Sequence, residues 1–294
     1  MMKLAVVFLL FAQSAACSKP SSSMTVIAHR GASGTAPEST LIAYRKAFEL
    51  PVDYLEGDIQ RTQDGVLVLF HDEFLASDTN IENVFPDRIN EPIEHFTWEE
   101  LQQLSSGKWF NIRFKDLAQP EYDEAKILKL EDLLKRISPH KGAGLYLETK
   151  RAAFHPGIEL QLIQLLTKYG WTTPMQGEKS PRLLFQSFEK DSLKRLQQFA
   201  PQVPRVLLVS PSLVNVMGAA GIVEEAKSVG AYGVGPAGHL CWPWNIRTWH
   251  EADLVIHAYT LNTPWQFRLM SYAGVDGIFT DHPQRLVDFL RQDQ

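Results

Sequence analysis

A histidine and an arginine, His29-Arg30, follow the first candidate strand; Glu56 and Asp58 stand two apart in the second, His71-Asp72 end the third, and Glu148-Thr149-Lys150 end the fourth. These residue types suit attack on a phosphate diester. The non-bridging oxygens of such an ester are negative and repel a nucleophile, so cations must neutralise them first. Arg30 can hold phosphate bidentately, and Lys150 offers a point charge to the same group. Glu56 and Asp58, two apart on a strand, point the same way and can grip one hard cation through oxygen. Glu148 would complete a three-carboxylate site from a neighbouring strand. No cysteine or histidine cluster with metal spacing accompanies them, which favours Ca²⁺ or Mg²⁺ over zinc. Histidine is the side chain best suited to take a proton from an attacking oxygen and return one to a leaving alcohol, and His29 and His71 are the candidates. Each short motif alone is more often a solvated strand end than a site; their ordered recurrence on four successive runs is what argues for one.

Bringing these groups together requires a scaffold whose strands all end on one side. The chain alternates short β-branched or apolar runs with amphipathic stretches, the βαβ pattern of a parallel sheet. Candidate strands are Thr25–Ala28, Tyr54–Ile59, Val66–Phe70, Gly144–Glu148, Leu183–Gln186, Val206–Val209, Tyr232–Gly235, Leu254–Tyr259 and Gly277–Thr280. Nine candidates compete for the eight places of a closed barrel, and one of the three between Val206 and Tyr259 is expected outside the ring. In such a barrel, residues at the carboxyl ends of the strands share one rim. Glu38–Leu50, Glu159–Tyr169 and Ser192–Phe199 carry near-helical apolar spacing. The stretch from His71 to Ala143 is too long for a barrel loop, and its Trp98, Trp109, Phe110 and Phe114 mark an inserted subdomain at about residues 73–142, read as a lid.

The 294 residues are 45% hydrophobic and 21% charged, which excludes a disordered or collagen-like chain and fits a single large domain. A net charge of −5 with no basic run argues against a nucleic-acid partner. Residues 1–16 read as an export signal: Lys3, an apolar run from Leu4 to Ala12, then small residues before Cys17. That run is too short to span a bilayer, which takes about 20 residues. Ser14-Ala15-Ala16-Cys17 is similar to the box at which bacterial lipoproteins are cleaved and lipidated, and ordinary cleavage after Ala16 fits nearly as well. Residues 17–23 then form a serine-rich tether before a domain over 24–294. The expectation is an exported, periplasmic protein, with lipid anchoring to the outer membrane through Cys17 as the variant reading. Cys241 has no disulfide partner in prospect.

The segments HRGASGTAPESTLIAYRKAF, YLEGDIQRTQDGVLVLFHDEFL, YLETK, LFQSFEKDSL, HAYTLN and GVDGIFTDHP resemble the glycerophosphodiester phosphodiesterase family, in order from Val26 to Pro283. The long insertion with FHDEFLASDTNIENVFPDR is most similar to the exported, calcium-using branch. The resemblance implies an α/β fold, a TIM-type (β/α)₈ barrel with a subdomain inserted after the third strand. It implies hydrolysis of glycerophosphodiesters such as glycerophosphocholine or glycerophosphoethanolamine to glycerol 3-phosphate and an alcohol, and one divalent cation, with Ca²⁺ preferred and Mg²⁺ the alternative. Matching positions imply His29 and His71 as the acid/base pair, Glu56, Asp58 and Glu148 as metal ligands, and Arg30 and Lys150 as phosphate contacts. In this family the nucleophile is taken to be the substrate's own glycerol hydroxyl, giving a cyclic phosphate that water opens. Two rival readings share these residues. One is a related phospholipase D or lyase acting on lysolipids or sphingomyelin, against which the insertion is expected to narrow access. The other is a non-catalytic exported phosphodiester-binding protein, against which stand the intact histidines and carboxylates. The sequence carries no signal of oligomeric state.

Two positions depart from the family or remain open. Glu38-Ser39 stands where the family usually has Glu-Asn, so Glu38 keeps a supporting role while any bond made by the Asn amide falls to a shorter hydroxyl or is lost. Tyr259, in Ala258-Tyr259-Thr260, is a pocket-lining candidate that competes with core packing. The remaining histidines, His95, His140, His155, His239, His250, His257 and His282, are read as surface or packing residues, with His239 the one within reach of the rim. Asp281 ends the last strand, where capping the next helix competes with catalysis. Trp242, Trp244 and Trp249 are expected to pack against the barrel rather than cover an apolar group or face a membrane.

Overall fold

A computed structural model describes residues 24–173 and 180–292. The expected leader and the Cys17 tether lie outside the described residues. The strands are β1 (Thr25–Ala28), β2 (Tyr54–Arg61), β3 (Leu67–Leu69), β4 (Leu128–Lys129), β5 (Gly144–Thr149), β6 (Leu183–Ser187), β7 (Arg205–Val209), β8 (Gly233–Pro236), β9 (Val255–Ala258) and β10 (Gly277–Thr280). Eight of them run parallel and close on themselves in the order β1, β10, β9, β8, β7, β6, β5, β2 and back to β1, the expected TIM-type barrel.

Contrary to the expectation from sequence, the strand outside the ring is not one of the three between Val206 and Tyr259, since β7, β8 and β9 all pair in parallel within the ring. It is the third, β3, which pairs antiparallel with β2 and, on its other edge, with β4. The reason is the turn at Asp64-Gly65. Gly65 takes φ +85° and Thr62 and Val66 close the loop, Thr62 N–H donating to the Val66 carbonyl at 3.0 Å. A connection this short can only reverse the chain, because a parallel neighbour needs a crossover of a dozen or more residues. The insertion thus leaves the ring after its second member and that strand's hairpin partner.

Helices between the ring strands pack their apolar faces on the barrel. Thr40 caps the helix Leu41–Phe48 through its hydroxyl, and Ala43, Tyr44 and Ala47 on one face are buried. Tyr44 reaches the sheet because Gly57 lacks a side chain: a Cβ there would lie 2.6 Å from the Tyr44 hydroxyl. The insertion packs in two small cores shared with neighbouring segments, one around Phe96 and Leu101 with Val68 and Phe70, and another around Phe110 and Tyr122 with Ala36 and Ala43. From Leu128 onward the chain returns to the main core through Leu130, Leu133 and Leu134. The insertion is fastened to the segments that follow β1, β2 and β5, to the second of these by the Gln63 N–H donating to the Phe96 carbonyl at 2.9 Å. Tyr122 donates to the Thr35 carbonyl at 3.0 Å and receives Lys46 at 2.7 Å, and Arg151 bridges Glu73 and Glu94 at 2.9 and 2.8 Å.

The barrel interior is stacked in layers. Ile27, Tyr54, Tyr146, Leu184, Val206 and Phe279 fill its middle. His257 sits among them, 4% exposed, its Nδ1 3.2 Å from the Tyr146 hydroxyl. Burial drops the His257 pKa to about 4 despite Asp276, so the imidazole is neutral in the fold.

Candidate active site

Side chains along a strand alternate faces, so the next inward residue above each apolar plug residue is two positions further on. Above Ile27 comes His29, above Tyr54 come Glu56 and Asp58, above Tyr146 come Glu148 and Lys150, above Leu184 comes Gln186, and above Phe279 comes Asp281. The registers then decide which of these meet. Asp58 lies opposite Glu148 across β2 and β5, and Glu148 opposite Gln186 across β5 and β6. Ile27 is level with Phe279, which puts His29 beside Asp281. His71 arrives by another route, at the end of the hairpin strand, whose reversal returns the chain to the rim.

All of the expected residues converge. His29, Arg30, Glu56, Asp58, His71, Glu148, Lys150 and Tyr259 line one cleft of about 130 Å³ at the carboxyl ends of the strands. Glu56, Asp58 and Glu148 are buried, with one oxygen from each lying within 4.8 Å of the others. Arg30 takes φ +53°, which turns its amide to donate to Glu56 Oε2 at 2.8 Å, while its guanidinium donates to Glu38 Oε1 at 2.7 Å. Glu38 thus fixes the direction of the Arg30 guanidinium. Lys150 stands 3.2 Å from Glu148 and 3.8 Å from Asp58.

Electrostatics identify an imbalance that a cation would correct. Burial pushes Glu148 up to about 8, against the pull of Lys150, and pushes Glu56 up as well, with Asp58 adding to it. Burial also opposes ionisation of Asp58, yet Lys150 and Arg30 hold its carboxyl below the usual range. Two cations thus secure one carboxylate and leave two acids underserved. Arg30 Nε is 3.1 Å from Asp58 Oδ2, but at an angle too bent for a hydrogen bond, so Asp58 Oδ2 is a buried acceptor without a donor. Gln186 Oε1 is another, although its amide nitrogen donates to Glu56 Oε1 at 3.1 Å. A cluster of oxygen donors with orphaned acceptors fits a hard divalent ion.

Both histidines have a carboxylate behind them. His29 Nδ1 is 2.7 Å from Asp281 Oδ1, and His71 Nδ1 is 2.5 Å from Asp72 Oδ1. A carboxylate at Nδ1 fixes the proton there and leaves Nε2 as the working nitrogen. Asp281 is itself held, receiving Asn262 Nδ2 at 2.6 Å and the Ser33 hydroxyl at 3.1 Å. Burial would raise the Asp281 pKa, but His29, Asn262 and Ser33 bring it down to about 2. Asp72 is likewise lowered to about 2, chiefly by His71.

Asp72, Gln186, Asn262 and the support given by Asp281 are the residues that motif reading left without a role. Each lies inside a quoted segment, but the pairing of Asp281 with His29 rests on the register of β1 and β10, which the linear chain does not carry. Tyr259 packs against the inner apolar layer, lines the cleft, and donates its hydroxyl to the Val209 carbonyl at 3.0 Å. Ser39 holds φ +57°, a left-handed conformation that Asn tolerates better, which explains the family's preference at this position in backbone terms. Of the tryptophans expected to pack, Trp249 is buried but Trp242 and Trp244 are exposed, because they precede and open the helix Pro243–His250 at the rim. His239 is exposed.

Comparison with known proteins agrees with this geometry. A glycerophosphodiester phosphodiesterase of Bacillus subtilis (strain 168) is 34% identical over 257 residues, spanning 87% of this chain and 83% of that protein. One from Caldanaerobacter subterraneus subsp. tengcongensis is 31% identical over 268 residues, spanning 91% of this chain and 98% of its own. An Oleispira antarctica phosphodiesterase solved with its product sn-glycerol-3-phosphate superposes with a TM-score of 0.74 at 25% identity, covering 91% of this chain and 96% of that one. The Glycerophosphoryl diester phosphodiesterase family profile matches residues 29–285. With its barrel, its buried acids and its two carboxylate-backed histidines in the positions such a profile spans, this chain belongs to the glycerophosphoryl diester phosphodiesterase family.

Proposed function

We propose that this protein hydrolyses glycerophosphodiesters such as glycerophosphocholine and glycerophosphoethanolamine to sn-glycerol 3-phosphate and an alcohol, with one divalent cation held by Glu56, Asp58 and Glu148. The observation that carries this reading is the facing of a buried carboxylate triad and two His–Asp pairs across one small cleft. A bound Ca²⁺ or Mg²⁺ would supply charge neutralisation to the phosphate oxygens and to the developing negative charge.

The chain's own groups do the rest. Arg30, aimed by Glu38, and Lys150 bind the non-bridging oxygens and align the phosphorus. One imidazole, its Nδ1 proton fixed by a carboxylate, removes at Nε2 the proton of the glycerol hydroxyl adjacent to the phosphate. The other gives a proton to the departing alcohol. The attack is intramolecular, so the hydroxyl acts at a high effective concentration, and the roles of the histidines reverse when water opens the cyclic phosphate. The apolar run from Leu4 to Ala12 before Cys17 supports an exported, periplasmic location for this activity, with Cys17 the candidate attachment point to the outer membrane.

The test is release of glycerol 3-phosphate from glycerophosphocholine, abolished by chelator and restored by Ca²⁺ or Mg²⁺. His29→Ala and His71→Ala should each remove turnover. Near-normal turnover in both variants would reject the assignment.

A further inference from the structure

The two imidazoles are anchored in different ways. His29 leans on Asp281, 252 positions away, which is itself held by Asn262 and Ser33. His71 leans on Asp72, its own neighbour, so that bond does not fix the pair to the barrel. The ladder between β2 and β3 does not reach the pair either. Its last rung is the Phe70 N–H donating to the Asp58 carbonyl at 3.0 Å. Among the described residues, the main chains of His71 and Asp72 bond to no other main-chain group.

Gln60 holds this stretch instead. It is 0% exposed, and its amide nitrogen donates to three successive carbonyls, Phe70 at 3.0 Å, His71 at 3.3 Å and Asp72 at 2.7 Å. The opposite orientation of the amide would gather four oxygens with no proton between them, so the chemistry fixes which end faces the carbonyls. Gln60 Oε1, on the other side, is buried without a partner. An orphaned buried acceptor costs stability, which argues that this side chain serves placement rather than folding stability alone. Gln60 also stands two residues beyond Asp58 on the same face of β2, so its amide ties the His71 main chain to the strand that carries Glu56 and Asp58. A second fastening, Arg151 to Glu73 at 2.9 Å, acts one residue further on; the Glu73 side chain is 45% exposed, and such a pair holds weakly in water.

We propose that Gln60 is a positioning residue for the reaction: its amide holds the His71–Asp72 pair at the cleft and keeps the two side chains bonded to each other. The inference rests on the function proposed above for its kinetic consequence. Side chains of adjacent residues in an extended chain point to opposite sides. The bond from His71 Nδ1 to Asp72 Oδ1 at 2.5 Å therefore needs a main chain curled between them, and the one group that grips both of their carbonyls is the Gln60 amide. Without that grip the backbone relaxes, the carboxylate leaves Nδ1, and the imidazole loses both its place and its fixed proton. Gln60 touches neither the substrate nor the ion in this account and acts through His71.

The test uses Gln60→Met, which keeps the length and packing of the side chain and removes the donor. With glycerophosphocholine, kcat should fall about 10²-fold, the usual cost of a misplacement of about 1 Å, with KM changed less than threefold. Any rise in melting temperature that Ca²⁺ gives the parent should be kept, since Glu56, Asp58 and Glu148 are untouched. A carboxylate-bound imidazole N–H gives a far-downfield proton signal in NMR. The signal that disappears in His71→Ala should disappear in Gln60→Met, while the signal that disappears in His29→Ala should persist. Turnover within threefold of the parent, or a retained His71 signal, overturns the inference. Loss of both imidazole signals together with the Ca²⁺ response assigns Gln60 to the general fold and also overturns it. Should Gln60→Met not melt cooperatively, Gln60→Asn, whose amide stops one carbon short, carries the same readouts, and failure of both to fold overturns the inference. A parent that releases no glycerol 3-phosphate rejects the function proposed above and leaves the His71 signal to decide the role of Gln60.

Discussion

Replacing Asp281 with Asn tests whether the carboxylate behind His29 sets its protonation. The change is nearly isosteric, and the surroundings dictate which way the new amide points. Asn262 Oδ1 accepts the Asp281 backbone N–H at 2.9 Å and the Thr280 hydroxyl at 3.1 Å, so Asn262 Nδ2 is fixed as the donor to Asp281 Oδ2 at 2.6 Å. In Asp281→Asn the amide oxygen must stay on that donor, which turns the new NH₂ toward His29 Nδ1, 2.7 Å away in the parent. An NH₂ there donates to Nδ1 and moves the imidazole proton to Nε2, the nitrogen facing the cleft. A positioned acid or base contributes about 10²–10⁴ in rate. Loss of the right tautomer should therefore lower kcat by about 10³, or about 4 kcal/mol of barrier, with KM changed less than threefold because Arg30 and Lys150 are untouched. Steady-state release of glycerol 3-phosphate from glycerophosphocholine, with thermal melting as the folding control, measures it. An Asp281→Asn protein that melts normally and keeps more than a tenth of the parent kcat would refute the tautomer argument.

Other outcomes follow from the same geometry. Ser39→Asn should stabilise the protein by about 1 kcal/mol, because Ser39 holds φ +57° where Asn is less strained; a lower melting temperature would show that the larger side chain does not fit. His155 and His257 are each held neutral with pKa values near 4, by burial first. Both bind protons more readily when unfolded, so stability is intact above about pH 6.5 and drains as pH falls toward 4, at about 2 kcal/mol per histidine between pH 7 and 5. Urea midpoints at the two pH values check this, and His257→Gln should flatten the slope. Ca²⁺ or Mg²⁺ should raise the melting temperature of the parent and chelator reverse it, while Glu148→Gln should lose most of that shift because it removes one of three buried ligand carboxylates; an undiminished shift would place the ion elsewhere.

The residue inventory of the active centre was legible in the linear chain because strand side chains alternate: Glu56 and Asp58, or Glu148 and Lys150, share a face whatever the rest of the molecule does. The barrel was legible for the same reason, from βα alternation that only a closed or open parallel sheet can absorb. What the chain alone left open were matters of direction and register. The run Val66–Phe70 has a strand's composition in either orientation, and only the reversal at Asp64-Gly65, paid out against β2, excludes it from the ring. The partnership of His29 with Asp281 spans 252 positions and exists because Ile27 is level with Phe279 across β1 and β10. Exposure of Trp242 and Trp244 likewise depends on where a helix starts on the rim. Local periodicity is set by backbone geometry and can be read residue by residue; which strand edges meet, and at what offset, is set by the closure of the whole sheet.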